Sequence, residues 1–125
     1  MYINKLLPMH AEEIREYCLS KKAVEESFPF DNDTLVFKTG GKIFLLLSLT
    51  AKPIQFNAKC EPAKAVELRE KYSSVVPGYH MNKTHWNTVI CDGLLPKKLV
   101  FGMVDHSYML IVGGLPKKIR ESLGL

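Results

Sequence analysis

Residues 34–60, TLVFKTGGKIFLLLSLTAKPIQFNAKC, decide the fold. Two runs rich in β-forming residues flank Gly40-Gly41, a pair that accepts the positive φ of a tight hairpin turn. A second reversal at residues 50–53 leads into IQFNAKC, where apolar and polar residues alternate as in a strand with one solvated face. The segment therefore predicts three antiparallel strands joined by short loops.

Side-chain alternation divides these strands into two faces if Gly40-Gly41 forms the whole turn. Phe37 then lies opposite Phe44, and Leu47 lies opposite Phe56. One face is almost entirely apolar and carries Val36, Ile43, Leu45, Leu47, Leu49, Ile54, Phe56, Ala58 and Cys60. The other face mixes rings, amides and lysines, and carries Leu35, Phe37, Lys42, Phe44, Leu46, Ser48, Gln55, Asn57 and Lys59. One extra loop residue would change this register.

Helical patterns surround the three strands. Apolar residues recur at helical spacing in residues 10–22, 63–74 and 96–114. One or two further strands are predicted between the second and the last of these helices, one of them at residues 85–91. In the last helix, Ser107 and Tyr108 are predicted to face the sheet and to find backbone partners for their hydroxyls. This order predicts an α+β fold with a single antiparallel sheet and helices packed on one face, which leaves the other face open.

Length and composition predict one cytoplasmic domain. The 125 residues suffice for a single domain over residues 1–125, and no run approaches the ~18 apolar residues of a membrane helix. The N-terminus lacks the features of a signal peptide. Cys18, Cys60 and Cys91 have no CxxC spacing, so we predict reduced, mostly buried thiols instead of a disulfide framework or a zinc ribbon.

Positive charge is concentrated after the first quarter of the chain. Residues 1–33 hold 4 Lys/Arg against 7 Asp/Glu, a net charge of −3, whereas residues 34–125 hold 13 against 6, a net charge of +7. Residues 34–60 contain four lysines and no acidic residue. This asymmetry favours a polyanionic partner.

Several segments resemble the MmcQ/YjbR family of small bacterial proteins. They are EEIREYCLSK, FPFD, TLVFKTGGKIF, NAKCEP, VPGYHMNKTHWNTV and DHSYMLIVGGLPKK. The resemblance begins at about Met9, so residues 1–8 are expected to form an N-terminal extension. It implies a frataxin-like (CyaY-like) two-layer fold and DNA binding, with no known enzymatic activity and no established cofactor. The family's recurring positions correspond to Phe28, Pro29, Phe30, Lys42, Phe44, Lys59, Pro77, Gly78, His80, Lys83, Trp86, Asn87, Ser107 and Tyr108.

The candidate DNA-binding residues combine cations for phosphates with rings and amides for bases. They are Lys42, Phe44, Asn57, Lys59, His80, Lys83, His85, Trp86 and Asn87. The lysines and histidines are predicted to contact phosphates, while Trp86, Phe44 and Asn87 contact bases or sugars. The alternative is a protein-interaction module, a homodimer that buries the open face through Phe37, Phe44 and Trp86, because such residues also serve protein partners.

Motifs for catalysis or metal binding are weak. Asp105-His106-Ser107 is consecutive on a helix, so its side chains cannot converge as those of a catalytic triad do. Gly40-Gly41-Lys42 lacks the length of a phosphate-binding loop. His80 and His85 match no zinc-ligand spacing with the cysteines or with Asp92. We therefore expect no enzymatic activity, no metal and no cofactor.

Overall fold

The computed structural model describes residues 9–125, so the predicted extension at residues 1–8 lies outside the described residues. The elements in chain order are α1 (Ala11–Leu19), β1 (Val24–Ser27), β2 (Thr34–Thr39), β3 (Lys42–Ser48), β4 (Gln55–Lys59), α2 (Pro62–Lys71), β5 (Val75–Pro77), β6 (Trp86–Ile90), α3 (Lys97–Gly114) and α4 (Lys117–Leu123). The six strands form one antiparallel sheet in the order β1-β2-β3-β4-β6-β5. The predicted α+β class is confirmed.

The turn between β2 and β3 has the predicted two-residue form. Gly40 and Gly41 have φ angles of 58° and 78°, and Thr39 pairs directly with Lys42 across the turn. A β-carbon on Gly40 would also lie 2.6 Å from the side chain of Leu115. Glycine is therefore favoured at this position both by the left-handed backbone and by the packing of the chain after α3.

A β-bulge at Phe44 changes the register beyond the turn. Lys38 pairs with Ile43, but Phe37 pairs with Leu45, so Phe44 is the extra residue on β3. The predicted pairing of Phe37 with Phe44 is therefore wrong. The pairing of Leu47 with Phe56 between β3 and β4 is confirmed.

The bulge reverses the predicted face for several residues. Leu35 and Phe37 lie on the helix side, where they pair with Leu47 and Leu45, which keep their predicted positions. Val36 and Ile43, predicted on the apolar face, lie instead on the open side, where Val36 pairs with Leu46. Phe44 is fully buried, and its ring contacts Tyr108 of α3 in an edge-on arrangement with centroids 5.4 Å apart.

Three helices cover the same face of the sheet. Helix α3 packs on β2, β3 and β4, α1 packs on β1 and β3, and α2 packs on β5 and β6. The hydroxyl of Ser107 donates to the carbonyl of Phe44 and accepts the Lys59 N–H at 2.8 Å. The Tyr108 hydroxyl donates to the carbonyl of Lys22 at 2.6 Å. These contacts confirm the predicted orientation of Ser107 and Tyr108.

Three short elements were absent from the sequence prediction. Strands β1 and β5 extend the sheet at its two edges, and the basic tail forms α4. The buried free thiols Cys18, Cys60 and Cys91 are as predicted, and burial raises the pKa of Cys18 and of Cys91 to about 12. Among residues 9–125, every helix is too short or too polar to cross a membrane.

Candidate nucleic-acid interface

The helix-free face of the sheet carries a groove of about 510 Å³. Ile43 and Leu46 of β3 and Gln55 and Asn57 of β4 contribute to its floor. Its walls are formed by Phe30 and Asp31, which lie between β1 and β2, and by Tyr79, His80 and Met81, which belong to residues 78–85 between β5 and β6. We call this depression the sheet groove and residues 78–85 the β5–β6 loop.

Aromatic rings line the rim of the sheet groove. Phe30 is 66% exposed and Tyr79 is 62% exposed, although both are large and apolar. His80 and Met81 follow Tyr79 along the same wall, and the Tyr79 and His80 rings meet edge-on with centroids 5.7 Å apart. Adjacent exposed rings at a concave surface are typical of a binding site.

Hydrogen bonds from the sheet fix the start of the β5–β6 loop. The Tyr79 N–H donates to the Thr88 hydroxyl oxygen at 2.9 Å, and the Asn57 amide donates to the Tyr79 carbonyl at 3.1 Å. The Thr88 hydroxyl in turn donates to the Asn57 carboxamide oxygen. His80 has a φ of 56°, an uncommon left-handed conformation for a residue with a β-carbon. The backbone carrying the exposed rings is thus held in place.

Helix α2 fixes the end of the same loop from the opposite side of the sheet. Arg69 donates through Nε to the Asn87 oxygen at 2.6 Å and through Nη2 to the carbonyl of Lys83. The Asn87 amide donates to the carbonyl of Ala65 at 3.4 Å. Lys83 also donates through Nζ to the carbonyl of Gly78 at 3.2 Å, which closes the loop on itself.

The structure brings some predicted site residues together on the open face. Lys59 lies opposite Trp86, and Asn57 is its neighbour on the same side of β4. Trp86 is half-buried, since the turn at Gly78 packs against its β-carbon. Among the candidates, His80 and Asn57 line the sheet groove.

Two of the predicted base-contacting residues lie on the wrong side of the sheet. Phe44 is 0% exposed because the β-bulge turns it towards α3. Asn87 is 2% exposed because neighbouring residues of a strand point to opposite faces, so an outward Trp86 requires an inward Asn87. Phe37, predicted for the alternative homodimer surface, is also fully buried beneath the helices.

The remaining candidates lie at exposed positions away from the groove lining. Lys42 is at the beginning of β3 beside the hairpin turn, and its predicted position on the open face is wrong: Lys42 pairs with Thr39, and the open side at this point carries Ile43. Lys83 and His85 are exposed on the β5–β6 loop, and Asn82 organises this part by accepting the Thr84 and His85 N–H groups. Lys83 therefore has a structural contact in addition to its predicted role.

Several lysines on and around this face have no ion-pair partner among the described residues. This group comprises Lys38, Lys59 and Lys83. Lys38 shares a face with Ile43, its cross-strand partner on the groove floor, and with Glu25, its cross-strand partner on β1, with which it forms no ion pair. On the helix side, Lys21 and Lys97 pair with carboxylates, whereas Lys64 and Lys98 form no ion pair among the described residues.

The carboxylate of Asp31, which lines the sheet groove, is already hydrogen-bonded to the backbone of its own turn. Asp31 accepts the N–H groups of Asp33 and Thr34 at 2.8 and 2.6 Å. These backbone hydrogen bonds hold the pKa of the Asp31 carboxyl below its usual range. Its charge is thus partly satisfied by backbone dipoles beside the site.

Among the residues that line the sheet groove, sequence reasoning selected only Asn57 and His80, and it missed Phe30, Gln55 and Tyr79. Gln55 had been predicted on the correct face, and Phe30 belongs to the FPFD segment of the family resemblance, but neither was selected. Tyr79 belongs to the VPGYHMNKTHWNTV segment of the family resemblance, and no sequence pattern indicated which way its ring points.

The consecutive residues of α3 do not converge on a catalytic centre. Asp105 accepts the Tyr17 hydroxyl at 2.7 Å, whereas His106 accepts the Glu61 N–H through Nε2 at 3.2 Å. Ser107 is buried against the sheet. Within residues 9–125, His, Cys, Asp and Glu form no group of three positioned to hold a metal ion.

Comparison with known proteins links this architecture to one family. A family model described as YjbR matches residues 19–110. The chain is 33% identical over 115 residues to the uncharacterised protein YjbR of Escherichia coli K12, covering 92% of this chain and 98% of that protein. It is 36% identical over 110 residues to the uncharacterised protein YbdF of Escherichia coli O157:H7, with 88% and 90% covered.

Solved structures show the same fold. The crystal structure of the Deinococcus radiodurans protein DR2400, described with the domain DUF419, superposes with a TM-score of 0.88 at 37% identity, over 93% of this chain and 88% of that one. A crystal structure of a Pseudomonas syringae protein superposes with a TM-score of 0.72 at 26% identity, over 82% and 99% of the two chains.

Proposed function

The chain belongs to the YjbR family, and we propose that it is a cytoplasmic, non-enzymatic DNA-binding protein of low sequence specificity. In this proposal the binding surface is the helix-free face of the sheet together with the β5–β6 loop. One observation carries the proposal: exposed aromatic rings and lysines without carboxylate partners occupy the same face of the sheet.

The division of labour between these groups follows from their chemistry. Lys38, Lys59 and Lys83 supply cations for phosphates, which are the main source of affinity in non-specific DNA binding. Exposed rings and amides supply contacts that any base can make, so they add affinity without selecting a sequence. His80 and His85 lie on the β5–β6 loop and add further polar contacts to the DNA backbone.

A fluorescence titration tests this proposal, because Trp86 is the sole tryptophan and lies beside Lys59. Adding DNA should change its emission at about 50 mM salt, and three or four phosphate contacts predict a log–log salt slope near roughly −3. Replacing Lys38 and Lys59 together by Gln should reduce the magnitude of that slope by about 2.

A control variant with the same loss of positive charge distinguishes binding at this surface from general electrostatic attraction between the protein and DNA. The double replacement K64Q/K98Q removes the same charge from exposed positions on α2 and α3, on the helix side of the sheet. It should leave the slope close to that of the wild type. Equal losses in the two double variants, or no binding by the wild type, would contradict the proposed surface.

The alternative homodimer is separated by light scattering on the same sample. A stable dimer that protects Trp86 and Tyr79 from solvent would cover the proposed DNA surface. Such a result would replace DNA binding with the interaction-module hypothesis. A monomer whose Trp86 emission responds to DNA supports the proposal.

A further inference from the structure

The shape of the open face favours single-stranded DNA over duplex DNA as the ligand. Proteins that read duplex DNA insert a helix or a β-ribbon into a groove. Here α1, α2 and α3 pack on the opposite face of the sheet, and the exposed face is a depression instead of a ridge. Bases within a duplex are stacked and paired, so they cannot enter a depression, whereas an unpaired base can.

The walls of the sheet groove suit a flat, partly apolar ligand. Ile43 and Leu46 provide apolar floor, while Phe30 and Tyr79 present exposed rings at the rim. Aromatic side chains at such a rim are the usual partners of unstacked bases. The β5–β6 loop that carries Tyr79 is fixed by hydrogen bonds from Thr88 and Asn57, so little ordering is needed when a ligand binds.

The polar groups of the groove differ in their availability. Asn57 uses both ends of its amide within the protein, and Asp31 uses its carboxylate in a turn. Ser48 accepts the Ala51 N–H at 3.3 Å. The Gln55 amide makes no side-chain hydrogen bond within the described part of the chain. Gln55 thus offers a donor and an acceptor together, the pattern that an exposed base edge can match.

We propose that the sheet groove binds an unpaired base of single-stranded DNA, in contact with the rings of both Tyr79 and Phe30 and with its edge towards Gln55. This inference rests on the proposed DNA-binding function and specifies its preferred form. Lys38 and Lys59, on the same face, then contact the phosphates of the strand that enters the groove. Sequence preference is weak because every base has a stacking face.

The first test compares three ligands of equal length and at equal salt. These are an oligothymidylate, a duplex, and a single strand in which abasic sites replace the bases. The protein should bind the oligothymidylate at least about tenfold more tightly than either of the others, a difference that stacking of a single base can produce.

The second test uses variants of exposed residues, whose folding is checked by urea denaturation. Tyr79→Ala should weaken binding of the oligothymidylate about tenfold and leave binding of the abasic strand unchanged. Tyr79→Phe keeps the ring and should retain the affinity. Phe30→Ala should weaken binding, whereas Phe28→Ala is a matched control because Phe28 is an exposed ring that lines a different hollow.

The outcomes separate this inference from the proposed function. Equal affinity for single-stranded, duplex and abasic ligands, with no effect of Tyr79→Ala, would overturn the groove assignment while leaving DNA binding in place. Equal effects of Phe30→Ala and Phe28→Ala would also overturn it. Failure to bind any of the three ligands would overturn the proposed function itself.

Discussion

The two faces of the sheet use similar residues for different purposes. On the helix side, Phe44 is fully buried and Asn87 is hydrogen-bonded to Arg69 and Ala65. On the open side, Phe30 is mostly exposed and the Gln55 amide lacks a side-chain partner among the described residues. A ring or an amide thus stabilises the fold on one face and is available to a ligand on the other.

The difference is one of solvent exposure and hydrogen bonding. A buried group must be satisfied within the protein, since leaving it unpaired is costly, whereas a group facing solvent can exchange water for a ligand. Stability and binding measurements should therefore respond to opposite faces of the same sheet. Paired substitutions across the sheet make this contrast quantitative.

The largest expected contrast is between two phenylalanines. Phe44→Ala should reduce the free energy of unfolding by about 3–5 kcal/mol, because it leaves a cavity beneath α3 and removes the contact with Tyr108. Phe30→Ala should change it by less than about 0.5 kcal/mol, since that ring is exposed. Urea denaturation of both variants measures the difference. Similar costs for the two would show that the assignment of faces is wrong.

A smaller difference in the free energy of unfolding is expected between substitutions of two side-chain amides, Asn87 and Gln55. Asn87→Ala removes the acceptor of Arg69 and should lower the free energy of unfolding by about 1–3 kcal/mol. It should also speed hydrogen exchange in residues 82–86, because Arg69 anchors that part of the loop through Lys83. Gln55→Ala, the matched change on the open face, should lower the free energy of unfolding by less than about 0.5 kcal/mol. Unchanged exchange in Asn87→Ala would contradict the anchoring role.

Much of the fold could be predicted from local patterns. The double-glycine turn fixed the hairpin, the alternation in IQFNAKC identified the faces of β4, and helical spacing placed the buried side of α3. Strands β1 and β5 were missed because they have four and three residues, too few to establish a pattern. The frataxin-like relationship stays a prediction.

The candidate site was harder to predict because it depends on register and loop direction. One bulged residue, Phe44, reversed the faces of Leu35 and Phe37, and the nearby Gly40 and Gly41 indicated the turn but not the bulge. Trp86 and Asn87 were both selected although alternation allows only one of them to face outward. Tyr79 depends on contacts with Asn57 and Thr88, which are distant in sequence.

The smallest expected contrast concerns histidines on the two sides of the sheet. On the helix side, burial lowers the pKa of His106, with Lys64 adding to the effect while Glu61 opposes it. The neutral ring accepts the Glu61 N–H at 3.2 Å. Because the folded state binds this proton more weakly than the unfolded chain does, the stabilisation is complete above about pH 6.5 and declines as the pH falls below that value.

Denaturation of His106→Leu as a function of pH tests this linkage, because leucine has no hydrogen-bond acceptor. At pH 7.5 the variant should be less stable than the wild type by about 0.5–1.5 kcal/mol, the contribution of one hydrogen bond. The difference should shrink towards pH 5, where protonation of His106 in the wild type removes the same acceptor. His80→Leu, on the open face, should change the stability at pH 7.5 by less than about 0.5 kcal/mol. A His106→Leu difference that stays constant between pH 7.5 and pH 5 would contradict the role of the neutral ring as acceptor, and with it the view that polar groups on the helix side serve stability.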